Sequence, residues 1–452
     1  MKKICLAMPT HRECAQAIRN LVDEAAFAVS RFDTEVCVLV SDTSEPAALA
    51  ANAAMVGQLQ TPPGVSLIHL PRDRQDRILA DVLRRAGCDA VIAALMQPDG
   101  VSYGAATNRL FLFAEYFGCS SLHRRDSDSH YQSSDGQPVY PVYNELRFIG
   151  LPAREAVSNV DEVVIDAAHA IGPIRMVGAS YVGETSIDVM PMFNRNEAAS
   201  YEILGQFAPF HLDAAEKRRW VDATYIDNGQ SRFEVDRAEL AYAHSFLIDA
   251  CNFCFYDIHA QVPMPPALYT IGSDYFLFSL MDALQLPVIH HNRHIDNFYT
   301  DERRTPQGFI DYQFRMVKNY LYMTWLHDAI AAIRANAETV LDARRALAPA
   351  ALWMHLARPI EPLLRINREK LDILVYNYQS LGDEYAEFAA QLQIRRDVLL
   401  DEFSRDVTDF ATLARVWPSL MNAARDLHDN ANRPEWRNRH NEKTNKEDEA
   451  LC

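Results

Sequence analysis

Short apolar runs that stop at polar turns alternate with helical spacings as far as about residue 130. Ile4 to Met8 is one such run, ended by Pro9. Apolar positions from Cys14 to Val29 recur at helical spacing. Glu35 to Val40 is a β-branched run that stops at Ser41-Asp42, and Val65 to Leu70 is a further strand behind the turn Pro62-Pro63-Gly64. Ile78 to Ala86 and Ala105 to Phe117 read as helices, and Ala90 to Leu95 fits either state. Cys119 to His123 reads as a strand leading into Arg124-Arg125-Asp126-Ser127-Asp128. Strands alternating with helices predict βαβ units and a mainly parallel sheet. In such sheets ligands sit at the carboxyl ends of strands. The polar residues that close each apolar run therefore fall where a site would be.

Beyond this region the pattern is mixed. Ile174 to Val182 predicts a strand with a break at Gly178, and residues 190 to 260 predict short helices and aromatic-rich loops. From Gly308 to about Asp429 the spacing is helical, and the stretch Phe309 to Ile333 suits a packed amphipathic helix. The segment from Asn430 onward is polar, nearly free of aliphatics, and predicted to be disordered. No internal repeat is visible.

Composition narrows the function classes. The chain has 452 residues, and its 61 acidic against 44 basic side chains give a formal charge of -17. That balance argues against sequence-independent binding to nucleic acid and against adhesion to anionic membranes through a basic patch. No run approaches the ~18 apolar residues of a membrane span. The start lacks a sustained apolar segment with a cleavage site and reads as a first strand, so a cytoplasmic location is expected. Eight scattered cysteines then read as reduced thiols. Cys251 and Cys254 form a single CxxC with no second ligand pair at similar spacing, and read as two half-buried thiols.

Four segments carry candidate chemistry. Asp126 and Asp128 are two apart after a buried-looking strand, so both carboxylates can face one cation. Hard divalent ions take such oxygen ligands together with phosphate. The other reading is a solvated turn, or a salt bridge to Arg124 or Arg125. Asp274, in Ile271-Gly272-Ser273-Asp274-Tyr275-Phe276, is either a helix N-cap or a general base. His290, His291 and His294 either complete a metal site or hydrogen-bond within a polar loop, with Arg293, Arg303 and Arg304 near enough to clamp an anion. Tyr103 to Arg109 opens a helix, whose free N–H groups and Arg109 suit an anion or whose Thr107 and Asn108 serve as ordinary caps.

The order of these segments resembles the GT-A-fold glycosyltransferases, above all the large family-2 group. The first strand ends in Met8-Pro9-Thr10-His11-Arg12, and the second in the acidic turn Val40-Ser41-Asp42-Thr43-Ser44. Asn108-Arg109 stands where that group has an Arg-Asn pair, in reversed order, and the D-x-D follows at Asp126-Ser127-Asp128. Ser273-Asp274 replaces the usual Glu-Asp, and the three histidines fill the window of a downstream histidine. The chain is also similar to a bacterial group sharing the HRRDSDS, IGSDYF and HNRH segments. The resemblance covers roughly residues 1 to 300.

It implies an α/β fold with a mixed, mainly parallel sheet: a GT-A-like catalytic domain at 1–300, a helical extension at 301–429 and a disordered tail at 430–452. The implied activity is metal-dependent transfer of a sugar, with inversion, from a nucleotide-diphosphate donor to a small or carrier-bound acceptor. Manganese or magnesium would sit at Asp126 and Asp128, joined by His291 or His294. Pro9, Thr10, Arg12, Asp42, Asn108, Arg109, Arg125 and Asp126 would hold the donor, and Asp274 would be the base. Nucleotidyl transfer on the same fold, a non-catalytic binding protein, and a structural metal site built from the histidines and Asp128 are the alternatives. The aromatic-rich helix from Tyr312 to Trp325 suits a seam within one chain or between two copies.

Overall fold

The computed structural model describes residues 2–184, 189–226, 229–244, 247–297, 305–342 and 345–431. Arg303, Arg304 and the tail from residue 432 lie outside the described residues.

Among the described residues, nine strands form one twisted sheet. They are β1 (Lys2–Thr10), β2 (Thr34–Asp42), β3 (Val65–Pro71), β4 (Ser121–Arg124), β5 (Glu162–Val163), β6 (Met176–Gly178), β7 (Ala238–Ala241), β8 (Phe253–Tyr256) and β9 (Val288–His291). Their order is β3-β2-β1-β4-β8-β6-β9-β7-β5. The pairs β2/β3, β1/β2, β1/β4, β6/β9 and β5/β7 are parallel, and β8 runs antiparallel between β4 and β6. The expected α/β architecture, a mixed and mainly parallel sheet flanked by helices, is therefore observed.

The helices that matter for the site are α1 (Ala15–Arg31), α2 (Pro46–Gln58), α3 (Arg72–Ala86), α4 (Ala90–Met96), α5 (Tyr103–Tyr116), α6 (Val142–Phe148), α7 (Tyr275–Ala283), α8 (Pro306–Ala335), α9 (Glu361–Leu381) and α10 (Asp383–Ala431). Side chains alternate across β1 and β2, as the pleat requires. Ile4, Leu6, Val36 and Val38 face α1 and Val142. Cys5, Ala7, Cys37 and Leu39 face a larger core that includes α5, α7, α8 and α10. Central strands covered on both faces read as continuous apolar runs, which is why β1 and β2 stand out in the sequence.

Three expectations change. The run Ile174–Val182 is two strands: Met176–Gly178 enters the main sheet, whereas Tyr181–Gly183 pairs with Ile295–Asn297 in a small second sheet. The segment Phe309–Ile333 is not amphipathic in its packing. Every residue from Met316 to Leu326 in α8 is buried, because α7 covers one side and α9 and α10 cover others. Cys251 and Cys254 are fully buried rather than half-buried, and both are free thiols.

One glycine is fixed by close approach. A Cβ at Gly104 would lie 1.8 Å from the carbonyl oxygen of Pro265. The start of α5 can therefore press directly on the segment around Pro265. Asn108 clamps the same segment, accepting from the Met264 N–H at 2.7 Å and donating to its carbonyl at 2.8 Å.

Candidate active site

The carboxyl ends of β1, β2 and β4 open on a cavity of about 500 Å³. Pro9 and Thr10 end β1 and Arg12 follows it, Ser41 and Thr43 flank the end of β2, and Arg124 ends β4, with Asp126 and Asp128 just beyond. Helix α5 adds Tyr103 and Arg109. The first turns of α8 add Gln307, Asp311 and Arg315, spaced four apart and so on one helix face. Among the described residues the lining carries five guanidinium groups, at positions 12, 72, 109, 124 and 315, against three carboxylates.

A second cavity of about 220 Å³ shares Asp126 and Asp128 with the first. Its remaining wall comes from the turn before α7, from Asp249 and Cys251 ahead of β8, and from a set of aromatic rings. Among the described residues, four carboxylates, Asp126, Asp128, Asp249 and Asp274, here face a single guanidinium, that of Arg124. The two cavities thus have opposite charge and meet at the D-x-D.

Each carboxylate is held differently. Arg124 donates from one terminal nitrogen to Asp126 at 2.8 Å and from the other to the Ala250 carbonyl. Arg12 lies 3.5 Å from Asp128. Burial pushes the Asp126 carboxyl up to about 6; Arg124 opposes the rise and repulsion from Asp128 and Asp249 adds to it. Burial, then repulsion from Asp249, also pushes Asp274 up to about 6. Asp274 stands at the N-cap position of α7, yet its side chain makes no capping bond. Of the two local readings, N-cap or site carboxylate, the geometry leaves the side chain available to the cavity.

Several residues expected at the donor lie elsewhere. Asp42 is fully buried and borders neither cavity. Its carboxylate accepts from the Ser44 N–H at 2.9 Å and from Asn52 at 3.0 Å, and lies 2.9 Å from His69 Nε2. Burial opposes its charge, but these bonds outweigh it and hold the group down at about 2. It fixes the turn that presents Ser41 and Thr43. Asn108 is consumed by Met264, as above. Arg109 borders the first cavity, with Nε donating to Gln75 and a terminal nitrogen to the Met96 carbonyl.

Arg125 faces away from both cavities. It forms two-pronged pairs with Glu24 of α1 and Glu145 of α6, all three side chains nearly or fully buried. His291 and His294 also border neither cavity. The Nδ1 of His291 accepts from the Arg293 N–H, and that of His294 from the Ser180 N–H. His290 donates from Nε2 to the Tyr242 carbonyl at 2.9 Å. The strand β9 and its turn use these rings as internal polar packing, so they are not brought to Asp126 and Asp128.

Sequence reasoning missed Asp249, Asn319 and the α8 face. Asp249 is a lone acid in the run Phe246-Leu247-Ile248-Asp249-Ala250, and its isolation among apolar residues was its signal. The α8 face was legible as Gln307, Asp311 and Arg315 at helical spacing.

The donor set fits a hard divalent cation. Asp126 and Asp128 offer oxygen ligands on one wall, and Asp126, raised by burial and further by repulsion from Asp128 and Asp249, would be relieved by a cation there. Among the described residues, no trio of mutually close His, Cys, Asp and Glu ligand atoms includes either residue. An ion there would complete its shell with phosphate and water oxygens, as magnesium-type sites do.

A family model matches residues 2–433. The chain belongs to DUF6271, a family of unknown function. No curated protein sequence matches this DUF6271 member. Among solved structures it is similar to the mannosyltransferase PcManGT from Pyrobaculum calidifontis in complex with GDP-Man and Mn2+. That match covers 95% of this chain and 86% of the other at 12% identity, with a TM-score of 0.31.

Proposed function

We propose that the protein is a metal-dependent glycosyltransferase that moves a sugar from a nucleotide-diphosphate donor to a small or carrier-bound acceptor. One observation carries the reading: an arginine-lined cavity and an acidic, aromatic cavity meet at Asp126 and Asp128. The first suits the anionic donor. Arg12, Arg109 and Arg315 offer fixed positive charge to the diphosphate, and Thr10, Ser41 and Thr43 offer hydroxyls to ribose or base. Asp42 supports that turn from behind. Manganese or magnesium held by Asp126 and Asp128 would offset the charge growing on the departing diphosphate.

The second cavity holds the acceptor. Asp274 takes the proton from its attacking hydroxyl; a carboxyl near 6 is ionised at neutral pH and still basic enough to help. Direct attack on the anomeric carbon in a single displacement inverts it. The aromatic walls and α8 keep water from competing.

Thermal stability against nucleoside diphosphates and their sugars, with and without manganese, tests the reading. A ligand that binds only the folded state raises the melting temperature. One base should give a manganese-dependent shift in the wild type that Asp128→Asn loses. No shift with any nucleotide would remove the reading. Release of nucleoside diphosphate marks glycosyl transfer, and release of pyrophosphate would mark nucleotidyl transfer instead.

A further inference from the structure

We propose that the acidic cavity recognises its acceptor through a protonated amine carried beside the reacting hydroxyl. The inference takes the word acceptor from the transferase reading and otherwise stands on the cavity itself.

The cavity has an excess of negative charge that its own cation does not cancel. Arg124 is engaged by Asp126 and by the Ala250 carbonyl, and its guanidinium lies 5.8 Å from the Phe253 ring centroid. A divalent ion at Asp126 and Asp128 neutralises those two carboxylates and leaves Asp249 and Asp274. Asp274 serves as base. Among the described residues, Asp249 then has no cationic partner on the cavity wall, and its Oδ1 accepts from the Cys251 N–H and thiol. A charged group inside a cavity calls for a counter-charge.

Two further polar atoms ask for a donor. The Ser273 hydroxyl and the Asn319 carbonyl oxygen both line this cavity, are 3% and 2% exposed as residues, and have no hydrogen-bond partner among the described residues. Asn319 Oδ1 is an acceptor only, and buried acceptors are normally satisfied. A bound ammonium group or sugar hydroxyl satisfies it.

The apolar wall suits a cation as well. Phe207 packs edge-on against Tyr275 at 5.4 Å and Tyr225 at 6.5 Å, and all three rings border the cavity. Aromatic faces attract an ammonium ion and pack the carbon skeleton of a sugar or cyclitol. Carboxylate, bare acceptor oxygen and ring faces together describe an amino sugar or aminocyclitol.

The amine is a handle and not the nucleophile, because a protonated nitrogen has no lone pair. The acceptor oxygen forms the new bond to the anomeric carbon as the bond to the diphosphate oxygen breaks. The hydroxyl proton passes to Asp274, and the nucleoside diphosphate leaves with the bonding pair.

Ligand-observed NMR titration at pH 7 with saturating manganese tests this. The probes are trans-4-aminocyclohexanol against trans-1,4-cyclohexanediol, and glucosamine against glucose. We expect each amine to bind at least about tenfold tighter than its neutral partner. Asp249→Asn keeps an oxygen for Cys251 and should abolish the preference. Tyr225→Leu leaves every carboxylate in place and should weaken the amines more than the diols, which keeps the test open if Asp249→Asn does not fold. Equal binding of amine and diol overturns the inference. So does a preference that survives in folded Asp249→Asn, or one that appears only without manganese. The nucleotide shift on the same samples separates the two readings. Amine preference without a nucleotide shift leaves this inference and ends the transferase reading, and the converse ends this inference alone.

Discussion

Arg125 shows how far one residue can stand from the role its position suggests. It adjoins Asp126, but adjacent residues of an extended strand point to opposite faces. Arg124 takes the cavity side and Arg125 the other, where Glu24 and Glu145 meet it from 101 and 20 residues away. The sequence shows neither partner, so the residue read as a donor contact. Its work is to lock α1 and α6 to the end of β4, from which Asp126 projects. Arg125→Met would strand two buried carboxylates and should cost about 3–5 kcal/mol in denaturant unfolding. Asp274 is the contrasting case. Its side chain caps nothing, so Asp274→Asn should keep the melting temperature while turnover falls by about 10²–10⁴. A variant that lost stability and kept turnover would make it a structural residue.

Elements were most legible where one periodicity dominated. β1 to β4, α1 and α5 appear within a few residues of their expected ends, because doubly covered strands and one-sided helices write clear patterns, whereas α3 ends as expected but starts at Arg72 instead of Ile78. Helix α2 escaped notice: its alanine-rich sequence has weak contrast between faces, and only Asn52 is fully buried. The run Ile174–Val182 read as one strand broken at Gly178 because both halves are apolar, although they serve different sheets. The element β9 and its following turn carry a consequence for pH. Burial pulls His290, His291 and His294 down to about 4, 3 and 4 from an ordinary value near 6.5. The unfolded chain therefore takes up protons first. Stability should be full above about 6.5 and fall as the pH drops towards 4, by about 2 kcal/mol per histidine at pH 5. His294→Asn, whose Oδ1 can accept the Ser180 N–H, should flatten this acid limb in a series of unfolding curves. A limb of unchanged slope would mean that other groups control it.

At the scale of the whole molecule, the helices after residue 305 complete the site. Their pattern announced a helical segment, but nothing in it announced the two cavities, since cavity walls depend on where α8 lies against β1 and β4. Its face at Gln307, Asp311 and Arg315 lines the first cavity, and Tyr312 and Asn319 line the second. Further along, Trp325 stacks on Phe276 of α7 at 6.1 Å and meets Phe410 of α10 at 5.5 Å, within a core that also holds Cys5, Leu39 and Phe111. A core shared between sheet and helices predicts one cooperative calorimetric transition, with calorimetric and van't Hoff enthalpies equal. Two resolved peaks would mean that the helical layer unfolds separately. The same packing lets a single arginine be tested cleanly. Arg315 lies on the half-exposed first part of α8, so Arg315→Ala should leave the transition in place. If its guanidinium meets the diphosphate, nucleoside diphosphate affinity should fall about tenfold or more, as loss of a charge-assisted bond predicts. Affinity for the corresponding nucleoside, which lacks the anion, should not change. Equal losses for both would place Arg315 against base or ribose, and would turn the donor end for end in the cavity.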